Sequence, residues 1–356
     1  MGTKSKYIFF ILAGFINLCS CTDINKRDIK PDINDKTAIR KIYTIAFYNV
    51  ENLFDTEKDK YSDDEEFTPE GSKNWTTDKY KKKINNVSYV ISQIEKENSA
   101  NKPAIIGLAE VENRKVLVDL TSNRNISGSG YKIIHHDSPD PRGIDVALLY
   151  NPQLFKISSE KTIKYQHPKY PNFKTRELLL VNGILANDSI YIIVNHWVSR
   201  KGENNAELRD YNAMLCKNVC DSLLKSNQNA KIIIMGDLND NPNDRSCRVI
   251  LNARKEKKDV KEGGFFNPMW KIYSSGQGTT CYQNNWDLFD QIIISESLLN
   301  SPTGFRYSDI KIFNPDFLIQ QKGRYKGYPL RTFSGNTFLN GYSDHFPIIM
   351  YLYKPQ

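Results

Sequence analysis

The chain has little that would let it span a membrane, hold zinc or cross-link itself. Its longest apolar run, Tyr7 to Phe15, ends near Asn17. That falls short of the roughly 20 residues that a bilayer-crossing helix needs. Among its six cysteines there is no CxxC pair and no Cys/His spacing of the zinc type. No solenoid-type repeat is present, and no Ser or Cys stands in a nucleophile elbow, so no covalent enzyme intermediate is called for. What is present is an ordinary globular balance. With 39% hydrophobic and 25% charged residues in 356, the chain can fill a sizeable core and is not disordered throughout.

The N-terminus stands apart. Lys4 and Lys6 precede the short apolar run, which reads as a secretory signal. Its end, Leu18-Cys19-Ser20-Cys21, resembles a bacterial lipobox. On that reading residues 1–20 are removed and Cys21 is lipidated. Residues 21–41 form a polar tether, and 42–356 form one catalytic domain. The protein is then exported and held to the cell envelope, at the outer membrane or cell surface, by lipid alone. The mature chain has no transmembrane helix and is expected to be a monomer. A plain signal peptide containing two cysteines is the alternative. Cys216, Cys220, Cys247 and Cys281 remain as buried or incidental thiols, with a bridge involving Cys247 or Cys281 left open. The net charge of +8 favours a phosphate-bearing or polyanionic partner.

Buried strands are expected over residues 42–48, 104–109, 145–150, 178–181, 190–195, 231–235, 291–294 and 346–351. Continuous apolar runs such as Ile232-Ile233-Ile234 and Ile292-Ile293-Ile294 suit strands covered on both faces. Helical patterns lie at about 78–97 and 205–224. Strands packed face to face with helices outside make a layered α/β sandwich. Two polar segments, 55–77 and 316–341, read as long loops, and loops of that length are usually functional or disordered. The first carries the acidic run Asp63-Asp64-Glu65-Glu66.

Chemistry shows as a repeated juxtaposition of strand end and polar group. Apolar strands run into Asn49-Val50-Glu51-Asn52, into Glu110-Val111-Glu112, into Asn195-His196-Trp197 and into Gly236-Asp237-Leu238-Asn239. Asp290 and Ser343-Asp344-His345 lead into strands instead. Each alone reads as a turn residue. Together they place hard oxygen donors and two imidazoles at the rim of a rigid sheet, where a site can be built. Such donors suit Mg²⁺, Mn²⁺ or Ca²⁺ rather than a zinc cage. Asn49 and Glu51, two apart on an extended chain, are expected to share a face.

These residues resemble the signature motifs of the endonuclease/exonuclease/phosphatase superfamily, over about residues 42–353. The GDxN and SDH pair is the most specific part. The resemblance implies a four-layer α/β/β/α sandwich of two packed, mostly antiparallel sheets flanked by helices. It also implies roles. Glu110 is the principal metal ligand, with Asn49, Glu51 and Asp344 nearby. Asp237 and Asn239 place or activate the attacking water. His345 contacts the scissile phosphate and is paired with Asp290. His196 is a proton donor or phosphate ligand. Arg176 is a phosphate-binding arginine before a strand, and Arg142 is a further candidate.

The superfamily cuts nucleic acids, sphingolipids and inositol phosphates, so the fold does not choose the substrate. In the loop before the SDH motif, Lys322, Arg324, Lys326 and Arg331 interleave with Tyr325, Tyr328 and Phe333. This favours nucleic acid, with cations meeting phosphates and rings stacking on bases. The expectation is a metal-dependent nuclease or phosphodiesterase. A phospholipid or sphingolipid phosphodiesterase, a small phosphate-ester phosphatase and a non-catalytic surface binding protein are the alternatives.

Overall fold

A computed structural model describes residue 2 and residues 41–98, 101–301 and 304–354. The expected lipidation residue Cys21, the expected signal apart from residue 2 and the expected tether apart from Lys41 lie outside the described residues; Lys41 opens the first strand. No described helix is long and apolar enough to cross a membrane.

In chain order, β1 (Lys41–Leu53) leads to helix α1 (Thr77–Ile94), then β2 (Ile105–Val111), α2 (Arg114–Ser122), β3 (Lys132–His135) and β4 (Asp145–Tyr150). The second half opens with β5 (Phe155–Ile163), β6 (Leu178–Leu185) and β7 (Asp188–His196), then α3 (Asn205–Ser226) and β8 (Lys231–Asp237). Short strands β9 (Ala253–Arg254) and β10 (Phe265–Phe266) and helix α4 (Met269–Ser274) precede the hairpin of β11 (Thr280–Tyr282) and β12 (Asn285–Asp287). The chain ends with β13 (Asp290–Ser295), α5 (Ser297–Asn300), β14 (Arg306–Ile312), the small pair β15 (Phe333–Ser334) and β16 (Thr337–Phe338), and β17 (Ile348–Lys354).

Two large sheets result. One runs β14-β17-β1-β2-β4-β3, the other β5-β6-β7-β8-β13-β10-β9. Most neighbours are antiparallel, but β1 with β2, β7 with β8 and the short β9 with β10 are parallel. The expected four-layer sandwich is therefore present. Alternate residues explain why. On β1, Ile45 and Phe47 enter the core between the sheets, while Ala46 and Tyr48 face α1 and α2. On β8, Ile233 and Met235 enter the inter-sheet core, while Ile232 and Ile234 pack beneath α3. A strand apolar on both faces fits only where both faces are covered.

The expected strand positions all hold strands, several of them longer. The strand expected at 346–351 begins two residues later, at Ile348. Helix α1 closes at Ile94 and a 3₁₀ turn, Glu95–Glu97, completes the expected span. Strands β3, β5 and β14 and helix α2 lie outside the expected set. Strand β5, at the sheet edge, is largely exposed and polar, so it carries no apolar run to find. The loop 55–77 includes a 3₁₀ turn, Glu65–Phe67, whose Phe67 packs on Phe54 and Trp75. Its acidic run is partly neutralised, with Asp64 and Glu65 sharing Lys58 and Glu66 paired to Lys73.

Gly236 sits where β7 and β8 run side by side. A Cβ there would lie 2.1 Å from the Asn195 carbonyl oxygen. Gly236→Ala is expected to cost about 3 kcal/mol or more, read as a lowered urea midpoint. An unchanged midpoint would show that this close approach is not needed.

Candidate active site

Register assembles the site. In the second sheet His196 on β7 is the direct partner of Asp237 on β8, and Asp237 is the direct partner of Asp290 on β13. The three therefore form one row across adjacent strands. In the first sheet Asn49 on β1 is paired with Ala109 on β2, so Glu110 follows at the same level. His345 comes three residues before β17, the antiparallel neighbour of β1. Every one of these positions lies at the same end of the sandwich.

Two irregularities aim the side chains. Pairing shifts register between Asn49 and Leu53 on β1, and between Ala109 and Val111 on β2. Glu51, Asn52 and Glu110 take positive φ of 52°, 51° and 63°, as does Asn239 at 49°. Such backbone costs of the order of 1–3 kcal/mol per residue and clusters where function requires it.

The groups converge. Asn49 Nδ2 donates to Asp237 Oδ2 at 3.0 Å and approaches Glu110 Oε1 at 3.5 Å. His196 Nε2 lies 3.7 Å from Asp237 Oδ2 and 3.9 Å from Glu110 Oε1. His345 Nδ1 is 2.7 Å from Asp290 Oδ2, and its Nε2 is 3.9 Å from Asp237 Oδ2. Asn239 donates its amide to the Trp197 carbonyl and its backbone N–H to Asp237 Oδ1.

The two histidines are driven apart electrically. Burial pushes His196 well below the ordinary histidine value, and Arg176, Arg142 and His345 add to that. Burial also opposes a charge on His345, but Asp290, Asp237 and Asp344 outweigh it and hold the imidazolium well above the ordinary value. Burial raises Asp237 to about 6; Asp290 reinforces this, while His345, the Asn239 N–H and the Asn49 amide oppose it. His196 is thus the neutral imidazole and His345 the charged one.

Several expected residues are placed otherwise. Asn49 and Glu51 do not share a face, because positive φ at Glu51 breaks the alternation. The Glu51 carboxylate instead accepts from Thr332 N at 2.7 Å and lies near Arg331 Nε at 3.4 Å and Lys83 Nζ at 3.9 Å. It is a buried carboxylate, raised by burial and by Asp344, that pins the C-terminal loop. Asn49 turns its NH₂ to the acids, since its Oδ1 accepts from Glu51 N. Asp344 Oδ2 is held by Arg331 Nη2 at 2.6 Å, and its Oδ1 lies 4.0 Å from His345 Nε2. Arg176 is buried, and its guanidinium bonds Asp140 Oδ2, the His196 carbonyl and the Trp197 carbonyl. It braces the backbone that carries His196. Arg142 is the arginine at the cleft. Half-exposed, it donates to Asn52 Oδ1 and lies 3.8 Å from Glu110 Oε2. Of the loop aromatics, Phe333 is buried against Trp75 and Phe338.

Lys83 is the participant that the sequence concealed. It is fully buried, donates to Thr332 Oγ1 and the Tyr342 carbonyl, and is depressed to about 8 by burial, with Glu51, Asp344 and Glu110 opposing. In Lys81-Lys82-Lys83 nothing distinguishes it from its exposed neighbours. Asp140, the partner of Arg176, was likewise visible only as part of a Pro/Gly turn.

The residues fit a hard divalent cation. Glu110 Oε2 accepts from Asn52 N at 2.9 Å and lies 3.8 Å from Arg142 Nη2, while Oε1 has the long Asn49 contact and His196 Nε2 at 3.9 Å. Carboxylate oxygens are donors of the kind that Mg²⁺ or Mn²⁺ takes, and beside Glu110 the donor atoms of Asp237, Asp290 and His345 all lie within 4.8 Å of one another.

The family model described as "Endonuclease/Exonuclease/phosphatase family" matches residues 44–354. No curated protein matches the chain by sequence. Among solved structures, an endonuclease/exonuclease/phosphatase family protein from Bacteroides thetaiotaomicron superposes with a TM-score of 0.54 at 16% identity, covering 89% of this chain and 97% of that one. The human Nocturnin catalytic domain with bound sulfate gives 0.52 at 14%, covering 90% and 97%. D. rerio TDP2 complexed with a single-strand DNA product gives 0.51 at 13%, covering 87% and 98%. At such identities the likeness is one of fold.

If Arg176 is a strut, Arg176→Gln strands buried Asp140 and is expected to destabilise the fold by about 3–5 kcal/mol. Thermal unfolding reads this directly. A variant with native stability and a raised KM alone would return Arg176 to phosphate binding.

Proposed function

Since the chain belongs to the endonuclease/exonuclease/phosphatase family, whose three named activities all hydrolyse phosphoric esters, we propose that it is a divalent-metal-dependent phosphodiesterase at the cell envelope, acting on nucleic acid. The observation that carries the catalytic reading is the row His196, Asp237, Asp290 facing Glu110 and a charged His345. Nucleic acid is favoured by the net positive charge and by the basic, aromatic loop before His345. It also accords with the DNA product in the TDP2 structure. Envelope attachment rests on Leu18-Cys19-Ser20-Cys21 alone.

The roles follow from protonation and position. Asp237, raised towards neutrality, accepts the proton of the attacking water, and Asn239 orients that carboxylate through its backbone N–H. His345 donates from Nε2 to a phosphate oxygen, and Asp290 fixes both its ring and its charge. Neutral His196 donates a hydrogen bond to the phosphate or the leaving oxygen. Arg142 faces the developing negative charge. Water oxygen bonds to phosphorus as the ester P–O bond breaks; the His345 imidazolium gives its Nε2 proton to the leaving oxygen, and the water proton held by Asp237, 3.9 Å from that nitrogen, replaces it. A cation held by Glu110, with Asp344 at its margin, would neutralise phosphate charge and lower the pKa of water when bound.

Glu110→Gln, Asp237→Asn and His345→Ala are each expected to lower kcat on oligonucleotides by about 10²-fold or more while leaving the unfolding midpoint near that of the parent. EDTA should stop turnover, and Mg²⁺ or Mn²⁺ should restore it. Undiminished rates in all three variants would refute the assignment.

A further inference from the structure

Residues 320–328 form a closed protrusion beside the site. Gln320 N donates to the Tyr328 carbonyl at 2.8 Å, and Gly327 N donates to the Gln320 carbonyl at 2.9 Å. Ile319 and Pro329 add an isolated bridge. Between these pins Gly323 and Gly327 take φ of 81° and 94°, which lets the chain reverse around Arg324-Tyr325-Lys326. Every residue from 321 to 327 is exposed.

The tip is electrically unbalanced. Lys322, Arg324 and Lys326 lie within five residues, and among the described residues none has a carboxylate within ion-pair distance. By contrast Lys58, Lys73 and the neighbouring Arg331 are all paired. Three uncompensated cations on a fixed turn are an anion-binding surface.

A ring stands among them. Tyr325 is 45% exposed, with Tyr328 at 5.5 Å and the Arg324 guanidinium at 5.7 Å from its ring. Tyr328 is held by its hydroxyl, which donates to Asn284 Oδ1 at 2.7 Å, and by Trp286 at 6.2 Å. Trp286 stacks on Phe346 at 6.0 Å and 18°, and Phe346 follows His345. A file of rings thus runs from beside the charged histidine out to the tip. Arg331, on the same segment, reaches Asp344.

We propose that this protrusion is a subsite for single-stranded nucleic acid, in which Tyr325 stacks on a nucleobase and Lys322, Arg324 and Lys326 meet the flanking phosphates. The inference rests on the nucleic-acid reading of the active site and deepens it. An anionic lipid surface would satisfy the cations, but the tip offers no Leu, Ile, Phe or Trp to enter it, whereas a planar ring with cations on both sides suits a base between phosphates.

The test is equilibrium binding by the full-length protein in EDTA, read as fluorescence anisotropy of a labelled oligothymidylate. Controls are an abasic strand of equal charge and vesicles containing phosphatidylglycerol. Tyr325→Ala should weaken oligothymidylate binding roughly tenfold, leave the abasic strand nearly unaffected, and be rescued by Tyr325→Phe. Changing Lys322, Arg324 and Lys326 to Gln together should flatten the salt dependence, by about 0.7 in log–log slope for each phosphate that is no longer neutralised. Equal affinity for the two strands, or loss of vesicle binding alone in Tyr325→Ala, would overturn the subsite. Cleavage with Mg²⁺ is scored separately. Base-dependent binding by a protein that cleaves no strand would support the subsite and remove the nuclease reading.

Discussion

One hydrogen bond joins the two sheets at the level of the site, from Asn49 Nδ2 to Asp237 Oδ2. The residues concerned are 188 apart in the chain, so no local structure could bring them together. A second link, His345 to Asp290, crosses in the same region. Both depend on the apolar layer between the sheets, where Ile45 and Phe47 meet Ile233 and Met235. The meeting of these side chains is thus a consequence of packing. A sheet shifted by one residue would turn Asp237 away and bury a different set.

The same burial then sets the electrostatics. His196 and His345 are chemically identical and both withdrawn from water, yet they carry opposite protonation. His345 has Asp290, Asp237 and Asp344 around it. His196 has Arg176, Arg142 and His345, and no hydrogen-bond partner at Nδ1. Two titratable groups pushed apart by their surroundings supply an uncharged donor and a charged one in a single cleft. Arg176 belongs to this arrangement from beneath. Its guanidinium fixes the backbone that carries His196 and at the same time disfavours a proton on it.

Much of this could be read from the sequence, for identifiable reasons. Continuous apolar runs such as Ile232 to Ile234 mark doubly covered strands, and polar residues at their ends mark the rim. That logic located Glu110, Asp237, His196, Asp290 and His345. It failed where local backbone departs from regular strand. Period-two alternation assigned Glu51 to the face of Asn49, but positive φ sends it to Lys83 and Thr332. It was also blind where a side chain's surroundings depend on burial rather than residue type. Lys83 in a run of three lysines, and Arg176 before a strand, look alike whether they face water or the interior. The exposed edge strand β5 has no apolar pattern to detect.

The proposed chemistry needs one divalent cation on Glu110. Diffraction from crystals soaked in Mn²⁺, with data collected at the manganese edge, tests this most directly. An anomalous peak is expected within about 2.5 Å of a Glu110 carboxylate oxygen. A peak confined to the separate His135, Asp137 and Asp145 cluster, with none at Glu110, would contradict it.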